Sequence, residues 1–406
     1  MSPIQPLKSD TLCTGQAGAE RPRSGVLLLL AGGDMYLFGT SIAFLGAILL
    51  PLMRTFHLDP GSAGDLFLVM HFGSLVACLA AGLALDRAGT RPVLCMSLAL
   101  LGIGLWGMSA AKSLSFIGGC VFAVGLAGGG INTGAITLVS DVFPDNRKSA
   151  LNVLSVFFGC GAIVLSFAIG LLTRAWPLFL KCSAVIAWVW ASASWLTSFP
   201  LVREAHRFSV FGALSTLRNP VILLFSGLVL CQMGNEITIG GWTVPFLSTV
   251  LGASSSAATL TLSLYWIAIV VGRLVAAILL RSHVAAARIV IGSGIGAALC
   301  TITLITTSSL AVAVPSVFCL GLCYAAMLPT TLAMAGDRFP RFSGTLFGTL
   351  FAVGVIGSMI FPSATGHIAR AFTLRIGLVV PFIAAIAIVI FEILLMRSSA
   401  VFDSSF

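Results

Sequence analysis

Asp141-Val142-Phe143-Pro144 returns as Asp337-Arg338-Phe339-Pro340, 196 positions later. On the same offset Gly125 matches Gly321, Gly161 matches Gly357 and Gly170 matches Gly366. One glycine match means little in a chain with 43 glycines, but a D-x-F-P tetrad with three glycines on one diagonal is an internal repeat. Outward from the tetrads, twelve apolar segments are each long enough to cross a hydrocarbon layer as a helix. They run over 26–51, 63–85, 92–111, 114–139, 149–173, 178–199, 220–249, 256–280, 289–310, 312–335, 345–368 and 376–396. Only Ser308 and Ser309 are expected to separate the ninth from the tenth. Barrel strands are excluded, because they need only about 9–11 residues and alternate in polarity. Each tetrad falls between the fourth and fifth span of six, and the longest internal linker divides the spans six and six.

Composition agrees. The chain of 406 residues is 58% hydrophobic and 9% charged, against about 25% charged in soluble domains. Too little charge is present to cover a water-facing surface, so the surface faces lipid. The net charge of +9 is scattered in ones and twos between apolar runs, which argues against a nucleic-acid partner. Lys8, Arg21, Arg23, Arg87, Arg91, Arg147, Lys148, Arg203, Arg207, Arg218, Arg281, Arg288, Arg338, Arg341 and Arg397 fall on the side of the termini and even-numbered loops. Arg54, Lys112, Arg174, Lys181, Arg370 and Arg375 fall on the other, and Arg273 lies within a span. The bias places both termini in the cytoplasm and the protein in the cytoplasmic (inner) membrane. The expected organisation is a cytoplasmic tail over 1–25, a six-helix bundle over 26–199, a cytoplasmic linker over 200–219, a second bundle over 220–397 and a tail over 398–406. Most of the ten cysteines, such as Cys78, Cys95 and Cys231, sit in apolar runs as small hydrophobes. Cys319 and Cys323 share a helix face, but no tetrahedral metal-ligand set is visible, and no cofactor is expected.

After the second span comes Gly82-Leu-Ala-Leu-Asp86-Arg87-Ala-Gly89-Thr90-Arg91-Pro92. It resembles the major facilitator signature G-x-x-x-D-R-x-G-R-R, with Thr90 in place of the first arginine of the closing basic pair. The resemblance implies an all-α membrane protein with twelve transmembrane helices in two pseudo-symmetric six-helix bundles. It also implies a cytoplasmic gate in which Gly82, Asp86, Arg87, Gly89 and Arg91 tie the halves together. On the residues themselves, Gly82 admits a neighbouring helix, Asp86 ends the span, and Arg87 and Arg91 anchor the loop. A finer likeness runs through Gly125–Asn152, Gly234-Asn235-Glu236, Gly240-Gly241-Trp242, Tyr265-Trp266, Gly272-Arg273 and Ser343-Gly344-Thr345. These segments are similar to the fucose, galactose and glucose permease branch, whose members import monosaccharides, commonly with protons or sodium. The chain departs from it at Asn132, near which that branch often carries an acid. It also lacks the P-E-S-P-R and P-E-T-K-G motifs of general sugar porters.

A charge at mid-helix costs about 2.5–3.5 kcal/mol on insertion scales, so each intramembrane charge needs a partner or a task. Asp34 lies roughly 12 Å into the first span at 1.5 Å per residue, and Arg273 lies at a similar depth from the same side. They either pair or line the cavity separately, and Asp34 is a candidate proton site. Glu236 is the second such candidate. With Gln232 four residues earlier it presents donors and acceptors on one helical face. Gly240-Gly241 is a place where the helix can kink or unwind. Sugars need paired polar groups and an aromatic platform, so Asn132, Asn152, Gln232, Asn235, Glu236, Trp242 and Trp266 are the candidate substrate contacts. Interhelical hydrogen bonding accounts equally well for the two span-four and span-five amides, and packing for the tryptophans. Glu392 and Asp65, near span ends, are read as solvated.

The expected function is transport of a small neutral solute, a monosaccharide first, by alternating access with proton symport. A proton-driven exporter of lipophilic drugs and a transporter-like sugar sensor are the alternatives. A membrane enzyme lacks clustered nucleophiles or ligands. The expected partners are the solute, protons and the lipid bilayer, with no nucleic acid, and a monomer is expected.

Overall fold

The computed structural model describes residues 24–144, 146–199, 217–281, 284–339 and 343–403. Twelve of its helices are long and apolar enough to cross a membrane. They are α1 (Ser24–Thr55), α2 (Pro60–Ala88), α3 (Thr90–Ser109), α4 (Leu114–Val142), α5 (Arg147–Leu171), α6 (Trp176–Leu196), α7 (Pro220–Thr249), α8 (Ser255–Arg281), α9 (Ala286–Thr306), α10 (Leu310–Arg338), α11 (Ser343–Ala371) and α12 (Val379–Asp403). One short helical turn sits between α11 and α12, and another between α5 and α6. Local chemistry sets several starts. Pro60, Pro220 and Trp176-Pro177 open helices at the position where a missing N–H costs nothing. Asn219 caps α7 by accepting from the Val221 N–H at 2.9 Å. Exposed Leu196, Met96, Ile278 and Ile383 mark the outer faces, as expected where lipid is the solvent. The expected tails and linker fall largely outside the described residues, as do Pro340 and the surroundings of Gly82 and Asp86.

The repeat read in the sequence is a repeat of geometry. Phe143 and Phe339 end α4 and α10 with backbone angles of −123°, 59° and −129°, 59°. Each N–H returns to the carbonyl four residues back at 3.0 Å. The matched glycines are matched contacts. A side chain on Gly125 would strike the Met70 carbonyl of α2, and one on Gly321 the Tyr265 carbonyl of α8. Gly161 lies on the Tyr36 carbonyl of α1, and Gly357 on the Leu230 carbonyl of α7. These four pack helices within a half. Gly170 instead meets Leu260 of α8, and Gly366 meets the Pro60 carbonyl of α2, so the third pair joins the halves. Small residues allow this backbone approach where lipid supplies no hydrophobic drive between helices.

The face bearing the start of α1 is here the terminal face, and the opposite one the distal face. The halves meet at the distal side. Gly46 of α1 abuts the Gly240 carbonyl of α7, and Gly64 of α2 lies on Pro362 and Ser363 of α11. Asp65, read as solvated, is half-exposed and also a cross-half contact: its Oδ1 accepts from Ser363 Oγ at 2.6 Å and lies 3.0 Å from His367 Nε2. Glu392, read as solvated, is not. It is fully buried, because it shares the α12 face with Ala385 and Ile388 that packs on Gly294 of α9.

Asp59 caps α2 from the α1–α2 loop, accepting from the Gly61 and Ser62 N–H groups and from Ser62 Oγ, with Arg370 at 3.7 Å. The Ser62 hydroxyl bond, helped by the backbone bonds and Arg370, holds its carboxyl below the ordinary range. A depressed pKa means the contribution is present above about pH 4 and is lost as pH falls through the lowered value. Asp59→Ala is expected to destabilise the protein by about 0.5–2 kcal/mol, discounted for exposure, and Asp59→Asn by less because it keeps the cap acceptor. Thermal unfolding in detergent checks both, and equal losses would place the effect elsewhere than the cap.

Candidate functional site

Glu236 stands on α7 and is partly exposed. Its Oε2 accepts from Gln232 Nε2 at 2.7 Å, one turn away, and its backbone carbonyl accepts from the Tyr265 hydroxyl of α8 at 3.0 Å. Tyr265 and Trp266 stack edge to face, with centroids 5.3 Å apart. Trp266 in turn meets Phe158 of α5 edge-on at 6.4 Å, and Phe158 meets Phe38 of α1 at 5.3 Å. The Arg273 guanidinium lies over the Phe158 ring, 5.8 Å from its centroid, within the range of a cation–π contact. Arg273 also acts electrostatically on Glu236 and Tyr265. The aromatic row therefore runs from one half to the other, with a carboxylate and a guanidinium beside it.

The continuous α7 positions this cluster. Gly240 and Gly241 do not unwind it. They admit α1 at Gly46, and the rings of Phe67 and Trp266 lie against them. The helix stays intact because close packing from both sides satisfies the position without freeing backbone groups.

The other candidates separate. Gln232 and Trp266 join Glu236 and Arg273. Asn235 turns away, its Nδ2 donating to the Pro381 carbonyl of α12 at 3.0 Å. It is next to Glu236 in sequence and therefore about 100° away on the helix. Trp242 is no platform either. It is buried, and its Nε1 donates to the Pro362 carbonyl at 3.0 Å, tying α7 to α11. Asn132 is buried on α4, one turn after Gly128, which packs on Phe38 and Ser41 of α1. Asn152 is exposed on α5, two turns from Gly159 on the face that meets Val270 of α8. Asp34 does not pair with Arg273. It is buried inside the first half, within electrostatic reach of Cys95 on α3, beside the Trp190 ring that covers Gly33. Its carboxylate stands beside the Trp190 indole, whose Nε1 donates to the Leu30 carbonyl at 3.1 Å. Asp34 and Arg273 thus stand in different halves among different neighbours.

In the gate motif, α2 continues past Asp86 to Ala88, and Gly89 makes the turn at φ 83°, a region that favours glycine. Arg87 is exposed, whereas the Arg91 guanidinium lies 4.8 Å from the Trp195 ring centroid of α6, within its own half. Asp141 closes the last turn of α4, Pro144 bends away after it, and Asp337 is exposed. Sequence reasoning missed Phe158 and Phe38, which no motif marks, and gave Tyr265 no role although it adjoins Trp266.

The sequence model of the family described as Major Facilitator Superfamily matches residues 29–319 and 224–402. The chain belongs to the Major Facilitator Superfamily. Among relatives of this facilitator, the uncharacterized MFS-type transporter YfkL of Bacillus subtilis (strain 168) is 23% identical over 338 residues, covering 79% of this chain and 83% of the relative. The inner membrane transport protein YdiN of Escherichia coli (strain K12) is 22% identical over 347 residues, covering 82% and 81%. Among solved structures, nucleoside transporter NupG superposes with a TM-score of 0.77 at 13% identity, over 92% of this chain and 99% of that one. A bacterial homolog of the human lysosomal transporter Spinster, inward-facing and occupied, gives 0.75 at 17% identity, over 93% and 98%. Identities this low establish the fold alone. The facilitator is an integral multi-pass membrane protein of a transporter family.

Proposed function

We propose that this facilitator moves a small hydroxylated solute of the monosaccharide class by alternating access, with a proton as the coupling ion. The observation that carries the reading is the cluster of Glu236, Gln232, Trp266 and Arg273 at the boundary between the halves, with Phe158 contributed from across it. Paired amide and carboxylate groups suit hydroxyls, and the indole and phenyl faces suit the apolar side of a ring. The cross-half contacts through Gly46, Gly64, Asp65 and Gly170 lie toward the distal face. Together they describe one end-state of a rocking cycle. The excess of Lys and Arg on the terminal face makes that face cytoplasmic, so the state is closed to the outside. Glu236 is the proton candidate, because it is the acid at the solute cluster.

Uptake of a panel of radiolabelled monosaccharides into proteoliposomes, with and without a proton gradient, tests the reading. Saturable, gradient-stimulated uptake of a member is expected, and no uptake of any would end it. Orientation is checked separately by cysteine labelling in intact cells. Arg147→Cys is expected to react only from the cytoplasm, and Lys112→Cys and Arg370→Cys from outside. The reverse pattern would invert the topology.

A further inference from the structure

We infer that the solute carries a carboxylate, which Arg273 binds; on the reading above, this makes it a sugar acid rather than a neutral hexose. The inference rests on that proposed transport function but adds the charge of its cargo. An arginine at this depth requires a counter-charge or a polar environment. Neither Asp34 nor Glu236 forms a contact ion pair with it. Asp34 is buried in the other half against α3 and α6. Glu236 and Arg273 interact electrostatically without an ion-pair contact: Glu236 Oε2 accepts from Gln232, and no carboxylate lies within 4.0 Å of Arg273 among the described residues. Snorkelling to the lipid headgroups is the usual relief for a long basic side chain. Here the guanidinium instead lies over Phe158 of the opposite half, inside the boundary that must open and close.

Two further polar atoms at the cluster lack partners among the described residues. Trp266 Nε1 is a buried donor and Gln232 Oε1 a buried acceptor. A hydroxylated carboxylate supplies what is missing: an anion for the planar guanidinium fork, an acceptor for the indole N–H and a donor for the amide oxygen. A neutral hexose supplies only the last two.

The test compares three probes on the purified full-length protein: D-glucose, D-glucuronate and the non-sugar benzoate. Binding is read by intrinsic tryptophan fluorescence and titration calorimetry. Glucuronate is expected to bind roughly tenfold to over a hundredfold more tightly than glucose, the range for a charge-assisted pair. Arg273→Gln is expected to abolish that preference, and Arg273→Lys to retain part of it. Unfolding temperature and gel filtration of each variant separate loss of binding from loss of fold. Equal affinity for glucose and glucuronate in the native protein, or a preference that survives Arg273→Gln, overturns the inference and leaves the sugar reading standing. Arg273-dependent binding of benzoate without either sugar supports the carboxylate site and overturns the sugar reading instead.

Discussion

Replacing Gly46 by valine is expected to cut transport by roughly one to two orders of magnitude while leaving the protein folded. A Cβ at Gly46 falls inside contact distance of the Gly240 carbonyl, and the next nearest atom is the Gly241 Cα. Both belong to the other half, and backbone cannot step aside as a side chain can. The clash therefore exists only when the distal face is closed. Overpacking costs typically about 1–3 kcal/mol, and a cost borne by one end-state shifts the equilibrium by roughly five- to 150-fold. The matching control is Gly125→Val. Its Cβ would strike the Met70 carbonyl of α2, in the same half, so the penalty falls on every conformation and appears as lost stability. Distance measurements between spin labels on the distal ends of α2 and α11 separate the two. Longer distances are expected for Gly46→Val only. A Gly46→Val protein with native distances and native turnover would show that this contact does not close the gate.

The second large effect is at Glu236. Glu236→Gln keeps the shape but converts an acceptor-only carboxylate into an amide. The Gln232 Nε2 donor, now 2.7 Å from Oε2, will hold the new amide by its oxygen. The remaining NH2 then faces the solute as a donor where an acceptor stood. Loss of one charge-assisted bond is expected to weaken binding by about 1.5–3 kcal/mol, roughly tenfold to over a hundredfold. An amide cannot carry the proton. At saturating solute, exchange across the membrane is expected to persist while gradient-driven accumulation is lost. Asp34→Asn is expected to retain accumulation, since Asp34 lies away from the solute cluster. Normal affinity together with normal accumulation in Glu236→Gln would make Glu236 a structural residue and withdraw the site from α7.

Twelve spans, their division six and six, and the repeat between the halves were legible in the chain itself. The reason is that lipid imposes a length and a polarity on every crossing segment, and both are local properties. The offset of 196 residues was readable too, because matched backbone approaches demand glycine at matched positions. What each glycine touches was not readable. Gly125 and Gly161 pack within a half, whereas Gly170 crosses to the other, and the three look alike in sequence. The same limit divided the site. Gln232 and Glu236 were joined by their spacing of one turn, a short-range rule of the helix. Asp34 and Arg273 could be placed along their helices by counting residues, yet one is buried against α3 and the other lies over Phe158, and Asn235 was adjacent to Glu236 yet faces α12. Phe158 reached the cluster only through the docking of α5 on α8. Span and period are written along one helix and are read from the residues; which faces meet, and so which charges share a cavity, is decided by packing between helices far apart in the chain.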